Sequence, residues 1–130
     1  MIVYYDSKTG NVERFIDKIR SATHWDCLKI TDLLSAKEEG HLVTYTTKIG
    51  CVSETTSCFM EQYAHLVKSV SSSGNMNWGV NFALAADKLA EQYSIPVFIK
   101  FELSGLERDV DSFIHKVNEY ANQKMDTPQQ

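Results

Sequence analysis

The chain has 130 residues, 43% of them hydrophobic, and its 13 Lys and Arg stand against 17 Asp and Glu for a formal net charge of −4. That length suits one domain and excludes a second full one, and the apolar share excludes disorder of the whole chain. The mild acidity excludes holding a nucleic-acid duplex by counterion release, and apolar runs as short as Val97-Phe98-Ile99 exclude a transmembrane helix.

The opening Met1-Ile2-Val3-Tyr4-Tyr5-Asp6 lacks the basic start and long apolar core of a secretion signal, so the protein is expected in the cytoplasm. Ile2–Tyr5 reads as a first strand that stops at the loop Asp6-Ser7-Lys8-Thr9-Gly10-Asn11. Val12, Phe15, Ile16 and Ile19 then recur at the spacing of an amphipathic helix. Asp26–Ile30 and Leu42–Thr46 are the second and third strands, and the crossover between them, Thr31–His41, is too poor in apolar residues for a full helix. A helix over 55–66, a fourth strand over 68–73, a helix over 80–93, a fifth strand over 95–102 and a last helix over 106–121 follow. Residues 122–130 are polar, carry a proline and show no periodicity, which reads as a frayed tail after one domain over 1–121.

Strands alternating with helices build a parallel sheet covered on both faces, so the class is α/β. The cysteines are odd in number with no CxxC pair, and the four histidines show no metal-ligand spacing, so neither a disulfide framework nor a metal centre is expected. Cys27 and Cys58 read as small core residues.

In an open sheet of this kind ligands sit beyond the carboxyl ends of the strands, where the strand order reverses. In the order 2-1-3-4-5 the loops after strands one, three and four converge there. The first, Ser7-Lys8-Thr9-Gly10-Asn11, offers hydroxyls and the free N–H groups of a helix start, a phosphate cradle that taken singly reads more readily as a plain helix cap. It matches neither GxxxxGK[ST] nor GxGxxG, which argues against a triphosphate or a dinucleotide. The second is Thr46-Thr47-Lys48-Ile49-Gly50-Cys51. The third, Ser72-Ser73-Gly74-Asn75-Met76-Asn77-Trp78-Gly79, combines close backbone approach, amides and a flat aromatic face, and suits a planar hydrogen-bonding ring. Taken singly, Trp78 also reads as a packing aromatic and the asparagines as turn residues.

Three stretches resemble the flavodoxins, and within them the NrdI family, the small flavodoxin-like proteins that accompany class Ib ribonucleotide reductase. Tyr5-Asp6-Ser7-Lys8-Thr9-Gly10-Asn11-Val12 is similar to that family's phosphate loop and Ser73-Gly74-Asn75-Met76-Asn77-Trp78-Gly79 to its flavin loop. Lys100-Phe101-Glu102-Leu103-Ser104-Gly105 resembles a stretch at the end of its last strand that ordinary flavodoxins lack. The likeness covers residues 1–121 and implies a compact flavodoxin-like three-layer sandwich with a five-stranded parallel sheet.

By this resemblance the cofactor is FMN, with Ser7, Lys8, Thr9, Gly10, Asn11 and Val12 around its phosphate. Thr46, Thr47, Lys48, Ile49 and Gly50 then lie by the polar edge of the flavin, and Ser73, Gly74, Asn75, Asn77, Trp78 and Gly79 along its ring. Relatives often carry another glycine near Lys48 and an asparagine near Cys51, so the second loop departs from the family pattern. The resemblance further implies that reduced FMN, supplied with electrons by an external reductant, passes them to dioxygen. The superoxide so made serves assembly of the dimanganese-tyrosyl radical in the small subunit of the reductase. No side-chain acid, base or nucleophile is required for that role, which is that of an activator. An electron-transfer flavodoxin and a flavin-free binding module are the rival readings.

Overall fold

The computed structural model describes residues 1–47 and 50–126. Each predicted strand is present, as β1 (Ile2–Tyr5), β2 (Asp26–Lys29), β3 (Gly40–Tyr45), β4 (Val67–Gly74) and β5 (Val97–Glu102). They pair side by side, all parallel, in the order β2-β1-β3-β4-β5. Four helices, α1 (Asn11–Ala22), α2 (Glu54–Tyr63), α3 (Leu84–Tyr93) and α4 (Glu107–Asp126), complete three layers.

Alternation along the strands divides the core in two. Val3 and Tyr5 of β1, Val43 of β3 and Phe101 of β5 point to the face covered by α1 and α4, where they meet Phe15, Ile16, Ile19, Phe113 and Val117. Tyr4, Leu42 and Val70 point the other way, toward Phe59 and Met60 of α2 and Ala86 and Leu89 of α3. On the first face Phe15 stacks on Phe101, ring centroids 4.1 Å apart, and meets Phe113 edge-on. The stripe read from the sequence of α1 is the stripe that is buried: Val12, Phe15, Ile16 and Ile19.

Several boundaries differ from expectation, each for a local reason. The second helix ends at Tyr63, and Ala64–Leu66 tighten into a 3₁₀ turn before β4. Asn75 caps a second 3₁₀ turn, Met76–Asn81, through Oδ1 to the Asn77 N–H at 2.9 Å, so the third helix starts at Leu84 and not at Val80. Helix α4 runs to Asp126, past the boundary expected at 121, so residues 122–126 are helical; residues 127–130 lie outside the described ones. Cys27 is half-buried against the first core, whereas Cys58 is exposed on α2 and is not a core residue. Among the described residues no helix is long and apolar enough to cross a membrane.

The crossover after β2 forms no helix, as its composition suggested. Leu34 and Ala36 turn toward the second core while Leu33 is 94% exposed. The backbone of this segment is tied down by donors from the packed layers, the Tyr4 hydroxyl to the Glu38 carbonyl at 2.6 Å and the Tyr63 hydroxyl to the Leu34 carbonyl at 3.5 Å.

Candidate functional site

At the carboxyl ends of β1, β3, β4 and β5 the chain encloses a cavity of about 680 Å³, within the range that holds a cofactor-sized ligand. One end is polar, formed by Ser7, Lys8, Thr9, Asn11 and Val12. Thr46, Thr47 and Tyr45 form a wall, and Ser73, Gly74, Asn75, Trp78 and Leu103 close the remainder.

The polar end follows from where α1 begins. Gly10 turns the chain with φ +92°, and the helix starts at Asn11, leaving its first N–H groups without helical acceptors. One of these, from Glu13, is taken by the Ser7 hydroxyl at 3.2 Å. The cap reading of this loop is therefore true of Ser7, and the cradle reading rests on the groups around it.

The wall is built by a short turn. Thr46 forms an isolated antiparallel bridge with Val52, and between them the Thr47 N–H donates to the Cys51 carbonyl at 3.0 Å. The Gly50 N–H donates to the Thr47 carbonyl at 2.9 Å, with Gly50 at φ +73°, a conformation that favours glycine. Lys48 and Ile49, expected beside the ligand, lie outside the described residues.

Remote hydroxyls set the start of α3 and with it the third side of the cavity. Ala83 enters the helix at φ +48° with no side-chain cap of its own. Instead the Ala85 N–H donates to Thr46 Oγ1 and the Ala86 N–H to Ser72 Oγ, each at 3.2 Å, while Ser72 Oγ donates to the Ala83 carbonyl at 2.7 Å. The ends of β3 and β4 thus act as the N-cap of a helix distant in sequence. Gly74 is required by the same junction, since a Cβ there would stand 2.4 Å from the Ala83 backbone nitrogen.

The segment after β5 is strapped over the rim. The Leu103 N–H donates to the Gly74 carbonyl at 2.9 Å, and Ser73 Oγ donates to the Leu103 carbonyl at 2.5 Å. Arg14 reaches across from α1 to Ser104 Oγ (2.9 Å) and Asn11 Oδ1 (2.6 Å), and Lys18 to the Gly105 carbonyl (2.9 Å). The Lys100-Phe101-Glu102-Leu103-Ser104-Gly105 stretch thereby holds α1, β4 and β5 in one arrangement. Lys100 pairs with Asp87 at 2.6 Å, and Glu102 accepts from the Met76 N–H at 3.1 Å.

Of the described residues singled out in the sequence, Ser7, Lys8, Thr9, Asn11, Val12, Thr46, Thr47, Ser73, Gly74, Asn75 and Trp78 line this one cavity. Gly10, Gly50, Asn77 and Gly79 are not in its lining. The three glycines hold positive φ and shape the loops, and Asn77 is exposed. Sequence reasoning missed Tyr45 and Leu103. Tyr45 carried a usable signal, an aromatic as the last residue of a strand whose carboxyl end faces the ligand. Leu103 carried none, because its φ of +53° is set by the strap. The Tyr45 phenol is held above its ordinary value chiefly by burial, then by the charge of Asp6, with the neighbouring Ser53 hydroxyl opposing both.

A doubly wound sheet of this strand order, with a cavity at the switch point and aromatic and hydroxyl groups on its walls, defines a flavodoxin-like protein. Solved structures agree on the fold. A short-chain flavodoxin associated with a non-canonical PDU bacterial microcompartment superposes with a TM-score of 0.70 at 19% identity, covering 92% of this chain and 97% of that one. Oxidised flavodoxin 2 from Bacillus cereus gives 0.65 at 17%, covering 94% and 97%. The family model described as NrdI Flavodoxin like matches residues 3–116. The chain is 42% identical to Protein NrdI of Bacillus licheniformis, covering 98% of each. It is 37% identical to the SPbeta prophage-derived protein NrdI of Bacillus subtilis, covering 96% of this chain and 98% of that one. The chain belongs to the NrdI flavodoxin-like family.

Proposed function

We propose that this protein binds FMN in the cavity at the carboxyl edge of its sheet and serves class Ib ribonucleotide reductase as a cytoplasmic redox activator. The observation that carries the reading is the polarity of that cavity. Its lining joins the hydroxyls of Ser7 and Thr9 and the first residues of α1, as a phosphate requires, with the rings of Trp78 and Tyr45, as a flat ring requires. The residues present therefore fit the group. Ser7, Lys8, Thr9, Asn11 and Val12 would hold its phosphate, and Tyr45, Thr46, Thr47, Gly74, Asn75 and Trp78 its ring system. Gly10, Gly50 and Gly79 contribute through loop shape.

When bound, FMN supplies the electron transfer, taking electrons from an external reductant and giving one to dioxygen to form superoxide. The chain's own part is to orient the ring, to shield its inner edge from water with the strapped rim, and to leave the mouth open toward a partner. That partner, on this reading, is the radical-bearing small subunit of the reductase, in which superoxide drives formation of the dimanganese-tyrosyl radical. No side chain is asked to move a proton or form a bond.

The test has two stages. Purified protein titrated with FMN and with riboflavin is expected to bind FMN markedly more tightly, because riboflavin lacks the phosphate; equal binding, or none, refutes the site. The FMN-loaded protein, reduced without oxygen and mixed with the manganese-loaded small subunit and air, is expected to produce the tyrosyl radical signal. Reoxidation in air that yields neither superoxide nor the radical would leave a plain electron-transfer flavodoxin.

A further inference from the structure

Asp6 is the last residue before the phosphate-loop serine and is 6% exposed, a carboxylate taken out of water beside the cavity. It accepts from the Ser53 hydroxyl and, at 2.8 Å, from Thr56 Oγ1. Because a carboxylate only accepts, the order of the hydrogens behind it is fixed. Thr56 Oγ1 donates to Asp6 and so accepts from Thr44 Oγ1, 2.7 Å away on β3. Ser53 Oγ donates to Asp6 and accepts the Thr56 N–H at 3.1 Å as the N-cap of α2. Ser53 also follows Val52, the residue that bridges Thr46 and closes the turn of the cavity wall. One buried side chain thus joins the end of β1, the end of β3, the turn between Thr46 and Val52, and the start of α2.

The charge reaches the wall as well as the backbone, since Asp6 is one of the causes that raise the phenol of the cavity-lining Tyr45. Among the described residues its side-chain donors are the hydroxyls of Ser53 and Thr56, which leave the net charge in place.

Resting on the flavin reading above, we infer that Asp6 is a positioning residue that clamps the Thr46–Val52 turn against the phosphate loop through Ser53 and Thr56, and that its buried negative charge holds the reduction potential of the bound flavin down. Reduction adds negative charge to the ring when fewer protons than electrons arrive, and a fixed anion nearby opposes that gain. In a partly solvated protein site, one fixed charge near the ring changes the relative affinity for the two redox forms on the order of tenfold. For a two-electron couple, tenfold is about 30 mV.

The experiment compares full-length parent protein, Asp6→Asn and Ser53→Ala, each loaded with FMN and reduced by dithionite against a redox dye. Asp6→Asn, uncharged and of nearly the same shape, is expected to raise the two-electron midpoint by about 30 mV, fully reduced FMN binding roughly tenfold tighter relative to oxidised FMN. Ser53→Ala keeps the charge and removes the clamp, so it is expected to weaken both redox forms alike with no upward shift. An Asp6→Asn midpoint equal to that of the parent, or an equal rise in Ser53→Ala, overturns the inference. Should Asp6→Asn fail to accumulate folded, Asp6→Ser also removes the charge and is judged by the same shift. If neither neutral variant folds while Ser53→Ala binds FMN as tightly as the parent, the clamp is refuted. A parent that binds no FMN refutes the flavin reading itself, a result distinct from each of these.

Discussion

His41 makes the stability of this fold depend on acid. It sits on β3 facing α4, 4% exposed, with Nδ1 2.8 Å from Ser69 Oγ, its ring stacked on Phe98 and meeting Tyr120 edge-on. Burial, reinforced by the chain's N-terminal amine and opposed by Glu39, lowers its pKa from 6.5 to about 4. The folded state therefore binds this proton less readily than the unfolded chain. Its contribution is complete above about pH 6.5, is lost as the pH falls toward 4, and changes no further below that. At about 1.4 kcal/mol per pH unit, the gap amounts to a loss of about 3 kcal/mol between pH 7 and pH 4. That is a large part of the stability of a domain this size. The perturbation that isolates it is the double substitution His41→Phe with Ser69→Ala, which removes the titrating ring and the hydroxyl that would otherwise lose its partner. Urea unfolding of both proteins at pH 7 and pH 4 is the assay. The parent is expected to lose about 3 kcal/mol more than the double variant across that interval. Equal losses would show that the buried imidazole does not govern the acid limb.

Three further outcomes are expected. Gly74→Ala should destabilise by about 1–3 kcal/mol, read by urea unfolding, and should lower FMN affinity, because the new methyl meets the fixed Ala83 backbone at 2.4 Å. Trp78→Ala should weaken FMN binding by about 1–3 kcal/mol, the scale on which an aromatic stacks on a nucleobase, read by quenching of flavin fluorescence on titration. Phe15→Ala should cost about 3–5 kcal/mol in thermal or urea unfolding, since it removes a fully buried ring stacked on Phe101 and edge-on to Phe113.

How much of this could be read in the sequence divides along a physical line. β1 and α1 are local: Ile2–Tyr5 is a β-rich run, and Val12, Phe15, Ile16 and Ile19 repeat at the helical period, so both were legible. The strand order and the convergence of three loops followed from the topology that parallel crossovers permit. The start of α3 was not legible, because its caps are Thr46 and Ser72, remote in the chain, and nothing near Val80 or Leu84 announces them. Tyr45 was missed because an apolar residue at a strand end reads as core, and Leu103 because its place is set by the strap to Gly74 and Ser73, remote in the chain. Asn77 was assigned to the site because its loop was, whereas Asn75 uses its side chain to cap the turn and leaves Asn77 exposed. Cys58 was placed inside by residue type alone, against the helical phase that buries Phe59 and Met60 instead.

The helix-free crossover between β2 and β3 has a consequence for how the molecule opens. On that side β2 is an edge strand under a thin segment with Leu33 in solvent, so its amides are the ones to exchange first with heavy water, ahead of those in β1, β3 and β4. Such an opening leaves the cavity standing, because its walls hang from β1, β3, β4 and β5. Cooperativity is thus graded across the sheet, with the weakest unit at the β2 edge, outside the strands whose ends line the cofactor-sized hollow.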